Sequence, residues 1–133
     1  MSAAPDLKNV RVLIVEDEPF IAFDIADAIS LAGGVPIGPA ATVSQALALI
    51  AADGIDAAIL DVNLPDGHVG PVIDALQGNS AVVVHTGVGL PPEVRQRYPD
   101  LLVCAKPTPT GSLVAHVASA LGSPPGGAGR SAV

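Results

Sequence analysis

The strongest constraint on the fold is a rhythm: short apolar runs rich in Val and Ile alternate with longer segments of helical period, five times along the chain. A strand with no polar face must be covered on both sides. Parallel strands joined by helical crossovers achieve this, whereas antiparallel sheets usually leave one face wet. Residues 10–15 form the first run, continuous after Arg11, and end in Glu16-Asp17-Glu18. Residues 57–60 end at Asp61, residues 81–85 at Thr86-Gly87, and residues 103–105 at Lys106-Pro107. The second strand, residues 35–38, is placed at a sheet edge by Pro36 and Pro39, which cannot donate to a ladder.

The intervening segments read as helices. Pro19 suits a first turn, and Ile21, Ile25, Ala28, Ile29 and Ala32 recur on one face until Gly33-Gly34. Thr42 or Ser44 caps a second helix carrying Ala46, Leu47, Leu49 and Ile50, and Gly54 ends it. Residues 63–67 read as a loop and residues 71–77 as a third helix. Two glycines and two prolines between Gly87 and Pro92 leave only residues 93–97 for a short fourth helix before Pro99. Leu113, Val117, Ala120 and Leu121 give the last helix its buried face. This predicts one domain over residues 8–121, with flexible tails at 1–7 and at 122–133, the latter built of Gly, Pro and Ser.

Half of the residues are apolar, yet Phe20, Phe23 and Tyr98 are the only aromatic ones, so the core must be filled by Ala, Val, Ile and Leu. The formal charge of −7 repels nucleic acid and anionic lipid, so neither is an expected partner. Cys104, the single cysteine, excludes an internal disulfide and a thiolate-rich metal site, and its apolar neighbours predict burial. No run approaches the ~20 apolar residues of a membrane span, and the N-terminus lacks a signal-peptide core, so a cytoplasmic protein is expected.

Chemistry concentrates at the strand ends. Glu16 and Asp17 follow strand one, Asp61 strand three, Thr86 strand four and Lys106 strand five, all on the carboxyl edge where open α/β sheets bind ligands. Three carboxylates gathered there repel one another, and the usual remedies are raised pKa values or a bound cation; hard oxygen donors select Mg2+ over zinc. A metal flanked by a further carboxylate, a hydroxyl and an ammonium is equipment for phosphoryl transfer, whose transition state spreads negative charge over equatorial oxygens. Asp61 is then the nucleophile. Glu16 and Asp17 hold the metal, partly through water, and the backbone carbonyl of Asn63 adds an oxygen. Lys106 pairs with the phosphoryl group and Thr86 hydrogen-bonds it. Taken singly, Glu16 and Asp17 could cap the first helix, Thr86 could be a turn residue and Lys106 a surface charge. His68, His85 and His116 share no metal-ligand spacing, so no zinc site or catalytic histidine is expected.

Val-Glu-Asp-Glu-Pro, Leu-Asp-Val-Asn-Leu-Pro-Asp-Gly, His-Thr-Gly and Ala-Lys-Pro, in this order between Val10 and Leu121, resemble the receiver domains of two-component response regulators. The resemblance implies a flavodoxin-like (βα)5 fold with strand order 2-1-3-4-5, a Mg2+-dependent phosphoaspartate at Asp61 and a cis Lys106-Pro107 bond. It also implies a phosphodonor, either a sensor histidine kinase or a histidine phosphotransfer protein, docking beside the first helix. The chain would then be no enzyme beyond its own phosphorylation and dephosphorylation, and would signal or relay through protein contacts or serve as a phosphate sink. Thr86-Gly87-Val88-Gly89 with a shortened fourth helix is similar to a stand-alone subgroup that carries Thr-Gly-Tyr-Gly there, with Val88 in place of the tyrosine. Val103 stands where many receivers carry a rotating aromatic switch. A receiver-like adaptor that works without phosphorylation is the alternative. A phosphohydrolase of the haloacid dehalogenase type ranks below both, because it needs an aspartate where Asn63 stands and its acidic pair comes last.

Overall fold

The computed structural model describes residues 6–76 and 78–122. Five strands, β1 (Arg11–Val15), β2 (Val35–Ala40), β3 (Ala57–Leu60), β6 (Ala81–Thr86) and β7 (Leu102–Ala105), form one parallel sheet in the order β2-β1-β3-β6-β7. This is the doubly wound 2-1-3-4-5 arrangement that the resemblance implies. The remaining strands, β4 (Asn63–Leu64) and β5 (Gly67–His68), pair antiparallel with each other. Residues 63–67, expected as a loop, are therefore a tight hairpin.

The crossovers are α1 (Pro19–Leu31), α2 (Val43–Ala52), α3 (Gly70–Leu76), α4 (Pro92–Arg97) and α5 (Thr110–Gly122). Residue 77, where the sequence pattern ends the third helix, lies outside the described residues, as do 1–5 and 123–133 of the expected tails. The fourth helix is six residues long, in keeping with the Gly- and Pro-rich segment before it.

Burial follows strand alternation. Leu13, Val15, Ala58, Leu60 and Val84 face one apolar cluster with Ala46 of α2, Val72 of α3 and Val94 of α4. Val12, Ile14, Ala57, Ile59, Val83 and Cys104 face the other with Ile25 and Ile29 of α1 and Leu113 and Val117 of α5. Both faces are thus sealed, and each fully buried Leu or Ile contributes about 1.5–3 kcal/mol over an exposed one. Among the described residues no helix is long and apolar enough to cross a membrane.

Two expectations about burial need correction. Leu7, assigned to the N-terminal tail, is fully buried, and its N–H donates to the carbonyl of Ala32 at 2.9 Å. Leu121, assigned to the buried face of the last helix, is 37% exposed. It shares a face with the buried Val114 seven residues earlier, but it sits in the last turn of α5.

Gly33 ends α1 with φ 89°, a left-handed conformation that glycine adopts without steric cost. The N–H of Gly33 then reaches the carbonyl of Ser30, and that of Gly34 the carbonyl of Ile29.

Candidate functional site

Parallel pairing brings the strand ends to one level. Val15 lies beside Leu60 in the β1–β3 register, and Leu60 beside Val84 in β3–β6. The residues that follow these strands therefore emerge together. The N–H of Asp61 donates to the carbonyl of Val15 at 2.8 Å, and the N–H of Lys106 to that of Thr86 at 2.8 Å, so the ladder extends into the site.

Glu16, Asp17 and Asp61 each offer a carboxylate oxygen within 4.8 Å of the others. Glu16 and Asp61 are buried, whereas Asp17 is exposed. Lys106 Nζ lies 2.9 Å from Glu16 Oε1 and 3.1 Å from Asp61 Oδ2, a charge-assisted bridge between two of the three acids. Asp61 Oδ1 accepts the Val62 N–H at 2.7 Å, and Glu16 Oε2 accepts that of Glu18 at 3.1 Å. The helix cap itself falls to Glu18, whose Oε1 accepts the N–H of Phe20 at 3.2 Å. Glu16 is thus turned into the site and does not cap α1.

The electrostatics are those of a crowded acidic pocket. Burial pushes the Glu16 carboxyl above its ordinary range and Asp61 adds to this, while Lys106 and the Glu18 N–H pull the other way. Burial pulls the Lys106 ammonium down, yet its bonds to Glu16 and Asp61 and their charges hold it above the usual lysine value. The donor set consists of carboxylate oxygens alone, which suits a hard divalent cation. The three oxygens, all within 4.8 Å of one another, are near enough for one such ion to draw them together by side-chain movement.

Thr86 is 2% exposed at the end of β6, but its hydroxyl is engaged with its own loop. Thr86 Oγ1 accepts the Val88 N–H at 3.2 Å and lies 3.5 Å from the carbonyl of Gly89. The exposed Asn63 opens the hairpin, paired with His68. The Lys106-Pro107 bond is cis, as the resemblance implies; Gly38-Pro39 is cis as well.

No family model matches the sequence, and no curated protein matches it. Solved structures do. A CheY-like response regulator receiver domain protein from Methanospirillum hungatei JF-1 superposes with a TM-score of 0.76 at 22% identity, over 86% of this chain and 94% of that one. The non-phosphorylated HemR receiver domain from Leptospira biflexa gives 0.72 at 20% identity, over 86% and 95%. The chain has the fold of response regulator receiver domains.

A larger protein contains the receiver fold too: the response regulator PhyR from Brucella abortus is 27% identical, with a TM-score of 0.67, over 85% of this chain and 48% of that one. The chain thus spans about half the length of that regulator, and the same holds for PhyR from Bartonella quintana at 48%. Within this receiver fold, two polar residues near the site carry interactions that sequence reading did not anticipate. His85, read simply as a strand residue, is 4% exposed; its Nε2 accepts the Thr108 N–H at a long 3.4 Å and its buried Nδ1 has no partner. Burial and the Lys106 charge push its pKa down, with Asp61 opposing. Asp66, at the hairpin tip, accepts the N–H groups of Val43 and Ser44 at 2.8 and 3.1 Å. No local signal marks that contact, because donor and acceptor are 22 or 23 residues apart.

Proposed function

We propose that the chain is a response regulator that accepts a phosphoryl group on Asp61 from a phosphohistidine protein, in a Mg2+-dependent reaction, and passes the signal on by protein contact. The observation that carries this reading is the Lys106 bridge at 2.9 and 3.1 Å joining Glu16 and Asp61 inside a triad of carboxylates. Acids that merely face solvent do not place two buried carboxylates on one lysine.

In this scheme Glu16, Asp17 and Asp61 hold the metal together with the Asn63 carbonyl, and the metal, when bound, supplies charge neutralisation for the transferring phosphoryl oxygens. One oxygen of Asp61 attacks phosphorus. A new O–P bond forms as the P–N bond of the donor breaks, its electron pair leaving on the imidazole nitrogen. Val62 N–H and Lys106 orient the carboxylate, and Lys106 then pairs with the phosphoryl oxygens. The Thr86 hydroxyl turns its O–H from the Gly89 carbonyl to a phosphoryl oxygen, which draws on the Gly87–Pro92 segment. That segment carries Thr-Gly-Val-Gly, and Val88 is 76% exposed, so the loop offers an apolar contact that can change with phosphorylation.

Beside the site, α1 presents Phe20 and Phe23, which are 80% and 64% exposed. A cleft of about 430 Å³, lined by Ile21, Asp24, His85, Lys106 and Thr108, lies between α1 and the turn into α5. This face is the docking surface for the phosphodonor, a sensor histidine kinase or a histidine phosphotransfer protein. The test is incubation with acetyl phosphate and Mg2+ followed by intact mass. One phosphoryl adduct, base-labile and lost in Asp61→Asn and in EDTA, is expected. An unmodified chain favours the phosphorylation-independent adaptor, and an adduct that survives Asp61→Asn overturns Asp61 as the acceptor.

A further inference from the structure

Between Asp61 and α3 the chain crosses the carboxyl edge in a hairpin whose only regular pairing is Asn63 with His68 and Leu64 with Gly67. A two-stranded ribbon of that length is not stable alone. Its base is fixed by the burial of Val62 and Val69, both fully inaccessible, and by the Val69 N–H donating to the Val62 carbonyl at 3.1 Å. Leu64, buried in the apolar cluster, holds one strand of the hairpin, and the polar anchor of its tip is Asp66, which places both carboxylate oxygens on the first two N–H groups of α2.

The start of α2 is well suited to hold an anion. Its free N–H groups and the helix dipole favour negative charge there. Thr42 Oγ1 accepts the Gln45 N–H at 3.0 Å, and Gln45 Oε1 accepts that of Ala41 at 2.8 Å, a reciprocal cap that leaves Val43 and Ser44 for Asp66. The same segment reaches the other half of the site, because the Glu16 N–H donates to the carbonyl of Ala40 at 2.9 Å. Residues 40–44 therefore form a bracket with Glu16 attached at one end and, through Asp66, the Asn63 hairpin at the other.

We propose that Asp66 is a positioning residue for the divalent-cation site, holding the hairpin in register with Glu16 through the N-terminus of α2. This rests on the receiver reading, in which Asn63 supplies a carbonyl to the metal. Outer contacts that orient metal ligands typically change affinity by about tenfold or more when removed. In the full chain, Asp66→Ala is expected to weaken Mg2+ binding about tenfold, and Asp66→Asn, which keeps one acceptor oxygen, by less. Ala48→Gly, at an exposed position of α2 outside residues 40–44, weakens the same helix without touching the bracket or the hairpin. It is expected to lower the thermal midpoint and leave Mg2+ affinity unchanged.

The measurement is an Mg2+ titration followed by amide chemical shifts, with thermal melts of each variant in EDTA. Phosphorylation by acetyl phosphate provides a second readout: Asp66→Ala should be slow at low Mg2+ and recover at saturating Mg2+. Unchanged affinity in Asp66→Ala overturns the assignment, and so does an equal loss in Ala48→Gly, because the effect would then belong to α2 stability. Failure of the underlying reading is seen separately, as absence of saturable Mg2+ binding in the unaltered chain, and it removes this proposal as well.

Discussion

Replacing Asp17 by Asn should stabilise the metal-free protein. The Asp17 carboxylate stands within 4.8 Å of those of Glu16 and Asp61, whereas the lysine of the cluster bonds those two and not Asp17. At the outer limit of 4.8 Å two unit charges repel by about 0.9 kcal/mol in bulk water and by about 3.5 kcal/mol at an effective dielectric of 20. Asp17 is exposed, so the lower figure governs, and two such pairs give about 2 kcal/mol. The distant attraction of Lys106 for Asp17 offsets part of this, which leaves a net gain of about 1 kcal/mol, or about 4 °C in the melting midpoint of a domain this size.

Urea and thermal unfolding at pH 7 in EDTA, followed by far-UV circular dichroism, measure it. The gain should shrink as ionic strength rises, since the exposed partner is screened by salt. Mg2+ should invert the order: at a hundredfold excess over its dissociation constant a ligand adds about 2.7 kcal/mol to the protein that binds it, and Asp17→Asn lacks a ligand. A less stable Asp17→Asn protein in EDTA, or equal stabilisation of both proteins by Mg2+, would refute the reading of these acids as a preformed cation site.

Lys106→Met leaves Glu16 buried and Asp61 nearly so with no counter-ion, and should cost about 2 kcal/mol in EDTA at pH 7; the loss should fade as acid neutralises the carboxylates, and denaturation midpoints at pH 7 and pH 5 compare the two. Gly34→Ala places a Cβ 2.9 Å from Ile29 Cγ2 and 3.2 Å from the Val10 carbonyl oxygen. Ile29 is fully buried and cannot yield, so a loss of about 1–3 kcal/mol is expected in urea unfolding. The two N–H bonds from Val43 and Ser44 hold the Asp66 carboxyl below its ordinary value of 3.8. A depressed folded-state pKa contributes stability that is present above the unfolded value and is lost as pH falls through the folded one. The stability difference between the unaltered chain and Asp66→Asn should therefore be constant from neutral pH down to about 4 and shrink below it; a difference that grows on acidification contradicts the contact.

The parts of this molecule that could be read from sequence are those set by repetition or by position along a strand. Residues 12–15 and 57–60 are apolar throughout because both sheet faces are covered, and a strand ending at a fixed level delivers Glu16, Asp17 and Asp61 to one edge whatever the loops do. Lys106 follows by the same logic from β7. What could not be read depends on contacts between segments far apart in the chain. Residues 63–67 hold Pro-Asp-Gly, which is turn chemistry in any setting. Only the proximity of α2 makes Asp66 a cap for Val43 and Ser44 and the turn a hairpin with a defined place. Leu7 precedes the first strand and has no periodic partner, so nothing local distinguishes it from a tail residue; its burial comes from the end of α1, where the Ala32 carbonyl receives its N–H. Thr86 shows the division within one residue. Its place at the end of β6 is dictated by the run before it, whereas its hydroxyl is committed to Val88 and Gly89 by a loop conformation that the sequence leaves open. The strand ends thus fix which groups meet, and the loops fix which bonds they make at rest. The chemistry proposed for Asp61 depends on the first, while any response to phosphorylation must work through the second.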